Sequence, residues 1–156
     1  MQPRGIRITI GRAAVQARFR FLWDEAPQTC AGVVGALPFE GEVLHGTCSG
    51  TMAVFFLDRE VPPGPENATT CVRVGDLLFT HYRANWRQGH AEAVSEIYWA
   101  YDAYARPTVP GLCIPTLASV FARHDCDSRE LGAFCESSHR LHREGAAPLR
   151  AQVYEA

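Results

Sequence analysis

Isoleucine occupies every second position from Ile6 to Ile10, and after a Gly11-Arg12 turn the alternation resumes as Val15, Ala17, Phe19 and Phe21 against Gln16, Arg18 and Arg20. Successive strand side chains point to opposite faces, so this pattern gives both arms of a β-hairpin one buried and one solvated side. Shorter strands are expected at Glu42 to Cys48 and Thr51 to Leu57 around a Ser49-Gly50 turn, and at Thr70 to Val74 and Leu77 to Tyr82 around Gly75-Asp76. Ser95 to Tyr101 and Leu149 to Tyr154 read as further strands, and Leu112 to Phe121 as another apolar segment. Pro62-Pro63-Gly64-Pro65 is a stiff loop, since proline fixes φ and supplies no ladder donor. Two helices fit the rest. One is short, from Pro27 to Leu37, and ends at Pro38; the other has Asp127 as N-cap, Glu130 three residues later, and a stripe of Leu131, Phe134, Cys135, Ser138 and Leu141 before Gly145. No strand-helix-strand rhythm is present. The expected fold is therefore all-β, a closed antiparallel β-barrel with two short helices over its open ends, formed as one domain by residues 1–156.

Composition narrows the chemistry. All 15 basic residues are arginine, which removes Schiff-base, phosphate-loop and general-base lysines from consideration. A net charge of −2 with dispersed arginines leaves no electrostatic footprint for nucleic acid. The six cysteines form no Cys-x-x-Cys unit and the amino terminus carries no hydrophobic signal segment, so reduced thiols in a cytoplasmic protein are expected. Cys48, Cys71, Cys113 and Cys135 lie among apolar neighbours in sequence and read as small hydrophobes. The longest apolar runs, Met52 to Leu57 and Ile97 to Tyr101, are far shorter than the roughly 20 residues that span a bilayer, so no membrane partner is expected.

Three places carry polar groups suited to a site. His45 and Ser49 suggest a base and a nucleophile, yet on one extended strand they stand roughly 13 Å apart and meet only across a bend at Ser49-Gly50. Ser49 otherwise reads as a turn residue, and His45 as either a pocket group or a hydrogen-bonded structural histidine. Glu96 shares a strand face with Tyr98, opposite Ile97, Trp99 and Tyr101. If the core takes Ile97 and Trp99, a carboxyl beside a phenol is left at a barrel opening, either to bind a polar group or move a proton, or as a solvated Glu paired with arginine. Trp86 stands in the polar stretch from Arg83 to Ala93, where an exposed indole marks a ligand or partner contact. Asp76 reads as a turn former. His139 and His142 are spaced for a metal, but Arg140 and Arg143 and the helix's carboxyl end favour a dipole-compensating role; no metal or other cofactor is expected.

Three ordered segments resemble a known group. Leu37-Pro38-Phe39-Glu40-Gly41-Glu42-Val43 leads to His45-Gly46-Thr47-Cys48-Ser49-Gly50; Glu66-Asn67-Ala68-Thr69 leads to Val74-Gly75-Asp76-Leu77-Leu78-Phe79; and Ser95-Glu96-Ile97-Tyr98-Trp99-Ala100-Tyr101 follows. Together they are similar to bacterial cyclophilin-like proteins of unknown function. The chain departs from that pattern at Cys48, where a tryptophan is common, and near Pro115-Thr116, where a Gly-Asn pair is expected. The resemblance implies a cyclophilin-like barrel, a homodimer or larger assembly, and a ligand-sized pocket. It does not imply prolyl isomerisation, whose long characteristic segments are missing. The leading expectation is a small polar organic ligand held by His45, Ser49, Glu96, Tyr98 and Trp86, in a protein accessory to amino-acid or cyclic-amide metabolism. The rival expectations are a hydrolase or isomerase with Glu96 or His45 as general base, and an oligomeric module in which the aromatics make subunit contacts.

Overall fold

The opening hairpin forms as β1 (Gly5–Ile10) and β2 (Val15–Phe21), with Ile8 opposite Ala17 and Ile6 opposite Phe19. In this computed structural model, which describes residues 1–62 and 64–155, the chain continues through α1 (Pro27–Gly35), β3 (Phe39–His45), β4 (Gly50–Phe56) and β5 (Ala68–Thr69). It then forms β6 (Asp76–Tyr82), β7 (Val94–Ala105), β8 (Ala118–His124), α2 (Ser128–Glu144) and β9 (Ala147–Tyr154). Strands pair antiparallel in the order β2-β1-β9-β3-β4-β7-β6-β8, and β8 returns to β2. Eight strands thus close a barrel, as the alternation predicts, while the two-residue β5 lies along β8.

The barrel interior takes one side of every strand: Ile6, Ile8 and Ile10, then Phe19 and Phe21, Val43, Phe55, Phe79, Ile97, Trp99 and Phe121. At one end α2 buries Phe134, Ser138 and Leu141, with the Phe134 ring 5.5 Å from Phe19 and 5.2 Å from Trp99. The indole N–H of Trp99 donates to Ser138 Oγ at 2.9 Å, so the one polar atom of that large side chain is satisfied under the helix. On α1, Thr29, Cys30 and Val33 are buried, and the Cys30 thiol donates to the Phe121 carbonyl at 3.3 Å.

A second apolar layer lies outside the barrel. Met52, Leu78, Tyr98, Ala100, Ala118 and Val120 project from the outer faces of β4, β6, β7 and β8 and pack with Leu22. This part of the wall is covered on both sides, which is why Ile97 to Tyr101 is continuously apolar instead of alternating.

Some sequence expectations need correction. No strand runs from Thr70 to Val74: Thr69 Oγ1 accepts from the Cys71 amide at 2.9 Å, a local turn that competes with ladder pairing. The segment from Leu112 is strand only from Ala118, because Pro107, Pro110 and Pro115 hold residues 106–117 in a loop. Pro63, in the expected stiff loop, lies outside the described residues. Asp76 is no mere turn former; it is 5% exposed and accepts from Arg123 Nε at 2.9 Å. Among the cysteines, Cys30 is the buried small hydrophobe, whereas Cys71 and Cys113 are exposed and Cys48 and Cys135 half-buried; all six thiols are free.

Candidate functional site

Cα-paired residues of neighbouring strands share a face, so register decides which candidates meet. Leu44, Val54, Tyr98 and Leu78 form one row across β3, β4, β7 and β6; His45, Ala53 and Trp99 form the adjacent row. The Trp99 row faces the interior and the Tyr98 row faces out. Glu96, two residues from Tyr98 and flanked by Phe56 and Thr80, therefore also points out of the barrel. It stands on the wall, not at an opening.

Loops convert that stretch of wall into a pocket of about 110 Å³. Glu96, Tyr98, Met52, Val54 and Phe56 line it from the sheet, residues 44–49 form one rim, and Thr108, Pro110 and Gly111 form the other. The rims are joined where the Arg106 amide donates to the Ser49 carbonyl at 3.0 Å. Two glycines permit the close approach. A Cβ on Gly50, whose φ is +76°, would lie 1.9 Å from the Tyr104 carbonyl oxygen, and one on Gly46 would meet Ser49 Oγ at 2.2 Å.

Glu96 is the chemical centre of this pocket. Only 5% of the residue is exposed, and its carboxyl has no hydrogen-bond partner among the described residues. Burial pushes its pKa up to about 8, since the charged form loses its hydration without a compensating cation. It is therefore largely protonated at neutral pH. Tyr98 is held by a 2.6 Å hydrogen bond between its hydroxyl and Thr80 Oγ1, and burial followed by the nearby Glu96 raises its pKa well above that of an ordinary phenol. The Tyr82 hydroxyl, close to Thr116, is buried without a hydrogen bond among the described residues, and burial raises it to about 12. No arginine lines the pocket among the described residues.

The structure brings His45, Ser49, Glu96 and Tyr98 around one pocket, with the His45 ring engaged by Tyr101. His45 Nε2 lies 2.9 Å from the Tyr101 hydroxyl, on the interior side of the wall, and its ring centroid is 4.7 Å from that of His142. His139 stacks on Tyr101 at 5.6 Å. Burial first, then the like charges of His142 and His139, lowers the His45 pKa. This cluster ties β3 and β7 to α2 and includes both histidines read as helix-end residues. Ser49 sits in the rim, in the bend of residues 47–49. Trp86 forms a separate stack outside the pocket lining, 4.6 Å from Tyr82 and 4.9 Å from His90, with the Arg87 guanidinium 5.3 Å from its ring. It is half-buried, and its indole nitrogen has no partner among the described residues.

A family model described as a protein of unknown function, DUF3830, matches residues 8–152. No curated protein matches the chain. Among solved structures, McbB in complex with tryptophan is similar with a TM-score of 0.63 and 13% identity; the match covers 94% of this chain and 44% of McbB, so this chain spans less than half of that protein. The hypothetical protein AF2241 from Archaeoglobus fulgidus, solved in solution, is similar over 96% of this chain and 95% of its own, with a TM-score of 0.53 and 16% identity. At these identities the likeness is one of fold.

Proposed function

We propose that this chain, which belongs to the DUF3830 family of proteins of unknown function, binds a small polar organic molecule by an amide group set against the Glu96 carboxyl. The observation that carries the reading is a buried, unpartnered carboxyl, its pKa raised by that burial, in the wall of a small pocket beside Met52, Val54 and Phe56. A neutral carboxylic acid both donates and accepts, and an amide N–H beside its C=O presents the matching pair. Pairing two neutral groups avoids the desolvation penalty that an ion pair meets in such a place. A ligand carboxylate would find no arginine in the lining. The volume suits a head group, with the rest of the molecule lying along the exposed side chains of Leu44 and Phe56.

In this proposal the barrel is a cyclophilin-like domain spanning residues 1–156, of bacterial cytoplasmic origin, dimeric or larger, and accessory to the metabolism of amino acids or cyclic amides. The tryptophan bound by the fold-similar McbB keeps amino acids among the ligands to be tried. The direct test is thermal unfolding with millimolar hydantoins, other cyclic amides, amino acids and simple carboxylates. A ligand at a hundred times its Kd stabilises by about 2.7 kcal/mol, a readily measured shift. Cyclic amides should raise Tm, carboxylates should not, and Glu96→Ala should abolish the effect; no stabilisation by any amide sinks the proposal.

A second reading is favoured by one specific property: a carboxyl titrating at about 8 is matched to proton transfer near neutral pH. Of the two bases considered from sequence, Glu96 rather than His45 then carries the proton, because the His45 ring is engaged with Tyr101 across the wall. Product formation from a stabilising amide distinguishes turnover from binding.

A further inference from the structure

Strand register sets Tyr82 beside Glu96. On the outer face Thr80 pairs with Glu96 and Tyr82 with Val94, so Tyr82 is the diagonal neighbour of Glu96 in the same sense that Thr80 is of Tyr98. Diagonal neighbours are within reach of aromatic side chains, and the Tyr98 hydroxyl spans its own diagonal to Thr80 Oγ1 at 2.6 Å. Thr80 Oγ1 in turn donates to the Leu117 carbonyl at 3.5 Å, so the hydrogens of Tyr98 and Thr80 are both spent in one chain. On the equivalent diagonal the Tyr82 hydroxyl spans nothing: it is buried without a hydrogen bond among the described residues. The same holds for the indole N–H of Trp86, whose ring packs 4.6 Å from that of Tyr82. The next residue ties this stack to the pocket, because Arg87 Nη1 donates to the carbonyl of Pro110, a residue of the pocket rim, at 3.5 Å. A hydroxyl that gives up water and gains no partner costs free energy, so a donor kept at that cost beside a pocket is one left for an acceptor that arrives from outside.

We propose, resting on amide binding at Glu96, that the ligand of the wall pocket is an imide, an N–H flanked by two carbonyls, and that the Tyr82 hydroxyl donates to the second carbonyl. The Glu96 carboxyl pairs with the N–H and the first carbonyl. The second carbonyl extends from the other side of the same N–H, along the diagonal on which Tyr82 stands. In a lactam a methylene takes that position and leaves the hydroxyl without a partner. Because the donor is unmatched in the free protein, no existing bond is exchanged when the imide arrives, and the whole worth of the new bond goes to affinity. The hydroxyl is reached when the loop of residues 83–93 yields at the link between Arg87 and Pro110, which at 3.5 Å is at the limit of hydrogen-bond length and costs little to break.

The test sets succinimide against 2-pyrrolidinone, the same five-membered ring with one carbonyl fewer, in thermal unfolding of the full chain and of Tyr82→Phe. In the parent, succinimide should give the same stabilisation at about a tenfold lower concentration, the worth of one hydrogen bond. In Tyr82→Phe the two ligands should act at equal concentrations, with 2-pyrrolidinone unchanged and succinimide weakened. Glu96→Ala should abolish both. Free of ligand, Tyr82→Phe should unfold at a higher temperature than the parent, since it removes a buried donor and no bond. Equal action of the two ligands on the parent, or a preference for succinimide that survives in Tyr82→Phe, overturns the imide assignment while amide binding at Glu96 stands. A free variant that unfolds at the same or a lower temperature shows that water or a protein group already satisfies the hydroxyl, and overturns the assignment without reference to any ligand. Stabilisation by neither ring overturns amide binding and the imide assignment together.

Discussion

Glu96 is a carboxyl whose environment opposes its charge, and that opposition is measurable without a ligand. An unfolded Glu titrates near its ordinary value of 4.5, whereas in the fold the group holds its proton to about 8. Above the ordinary value the unfolded chain has released a proton that the folded chain retains. Stability from this residue is therefore intact below that pH and is lost as pH rises towards 8. Each unit of difference corresponds to about 1.4 kcal/mol, so the penalty reaches the order of a few kcal/mol on the alkaline side. Glu96→Gln keeps the shape and removes the ionisation. Its denaturation midpoint should match the parent at about pH 4, below the ordinary carboxylate value, and exceed it by a growing margin as pH rises towards 8, and parallel curves would show that Glu96 is solvated. The outward direction of Glu96 and Tyr98 is legible in sequence, because Ile97 and Trp99 claim the core. That His45 joins the same pocket while its ring bonds Tyr101 is not, because its relation to Glu96 depends on register across three strands.

The elements differ in how much of their stability is local. Helix α2 carries its own signals: the Asp127 side chain accepts from the Glu130 amide at 2.8 Å, and Gly145 ends the helix at φ +84°. Both features stand in the sequence, and the helix appears where they place it. Helix α1 has no side-chain cap of its own and contains Gly32. Its first turn is capped from outside, by Glu66, whose Oε2 accepts from the Thr29 amide at 2.7 Å and the Thr29 hydroxyl at 2.8 Å while Oε1 accepts from the Gln28 amide at 3.2 Å. Burial raises the Glu66 pKa, but the hydrogen bonds from Thr29 and Gln28 outweigh it and the net direction is down. Glu66→Ala should cost about 1 to 2 kcal/mol at pH 7, within the range of lost N-caps, and hydrogen exchange should quicken first in residues 27–35. The contribution is present above the ordinary carboxylate pKa and lost as pH falls through the lowered one, so the parent and variant should converge in acid. Equal stability at pH 7 would rule out the cap. A remote cap has no local sequence signature, which is why α1 reads as weak until the fold brings Glu66 to it.

At the scale of the molecule, the sheet becomes a barrel only where its two ends join. That seam is β2 against β8, where Phe19, Arg20 and Phe21 pair with His124, Arg123 and Ala122. Arg20 and Arg123 stand directly opposite, a like-charge pair that opposes closure. The two carboxylates beside the seam offset it. Asp76, buried on β6, holds Arg123, and Asp125 accepts from Arg4 Nε and the Tyr154 hydroxyl, each at 2.8 Å. The Arg4 hydrogen bond leads the effects that lower the Asp125 pKa, so this carboxylate stays charged well into acid. Asp76→Asn keeps a hydrogen-bonding group but removes the charge, leaving Arg123 beside Arg20 without its partner. Since Arg123 is itself half exposed, solvent screens the loss, and about 1 to 3 kcal/mol is expected. If the ring opens only by global unfolding, the urea midpoint should fall with an unchanged slope, and tryptophan fluorescence and far-ultraviolet circular dichroism should report one transition. A separated early transition, with fast exchange confined to β2 and β8, would mean that the seam opens while the other strands stay paired. A midpoint indistinguishable from the parent would remove Asp76 from the account of closure and leave Asp125 as the group that holds the ends of the barrel together.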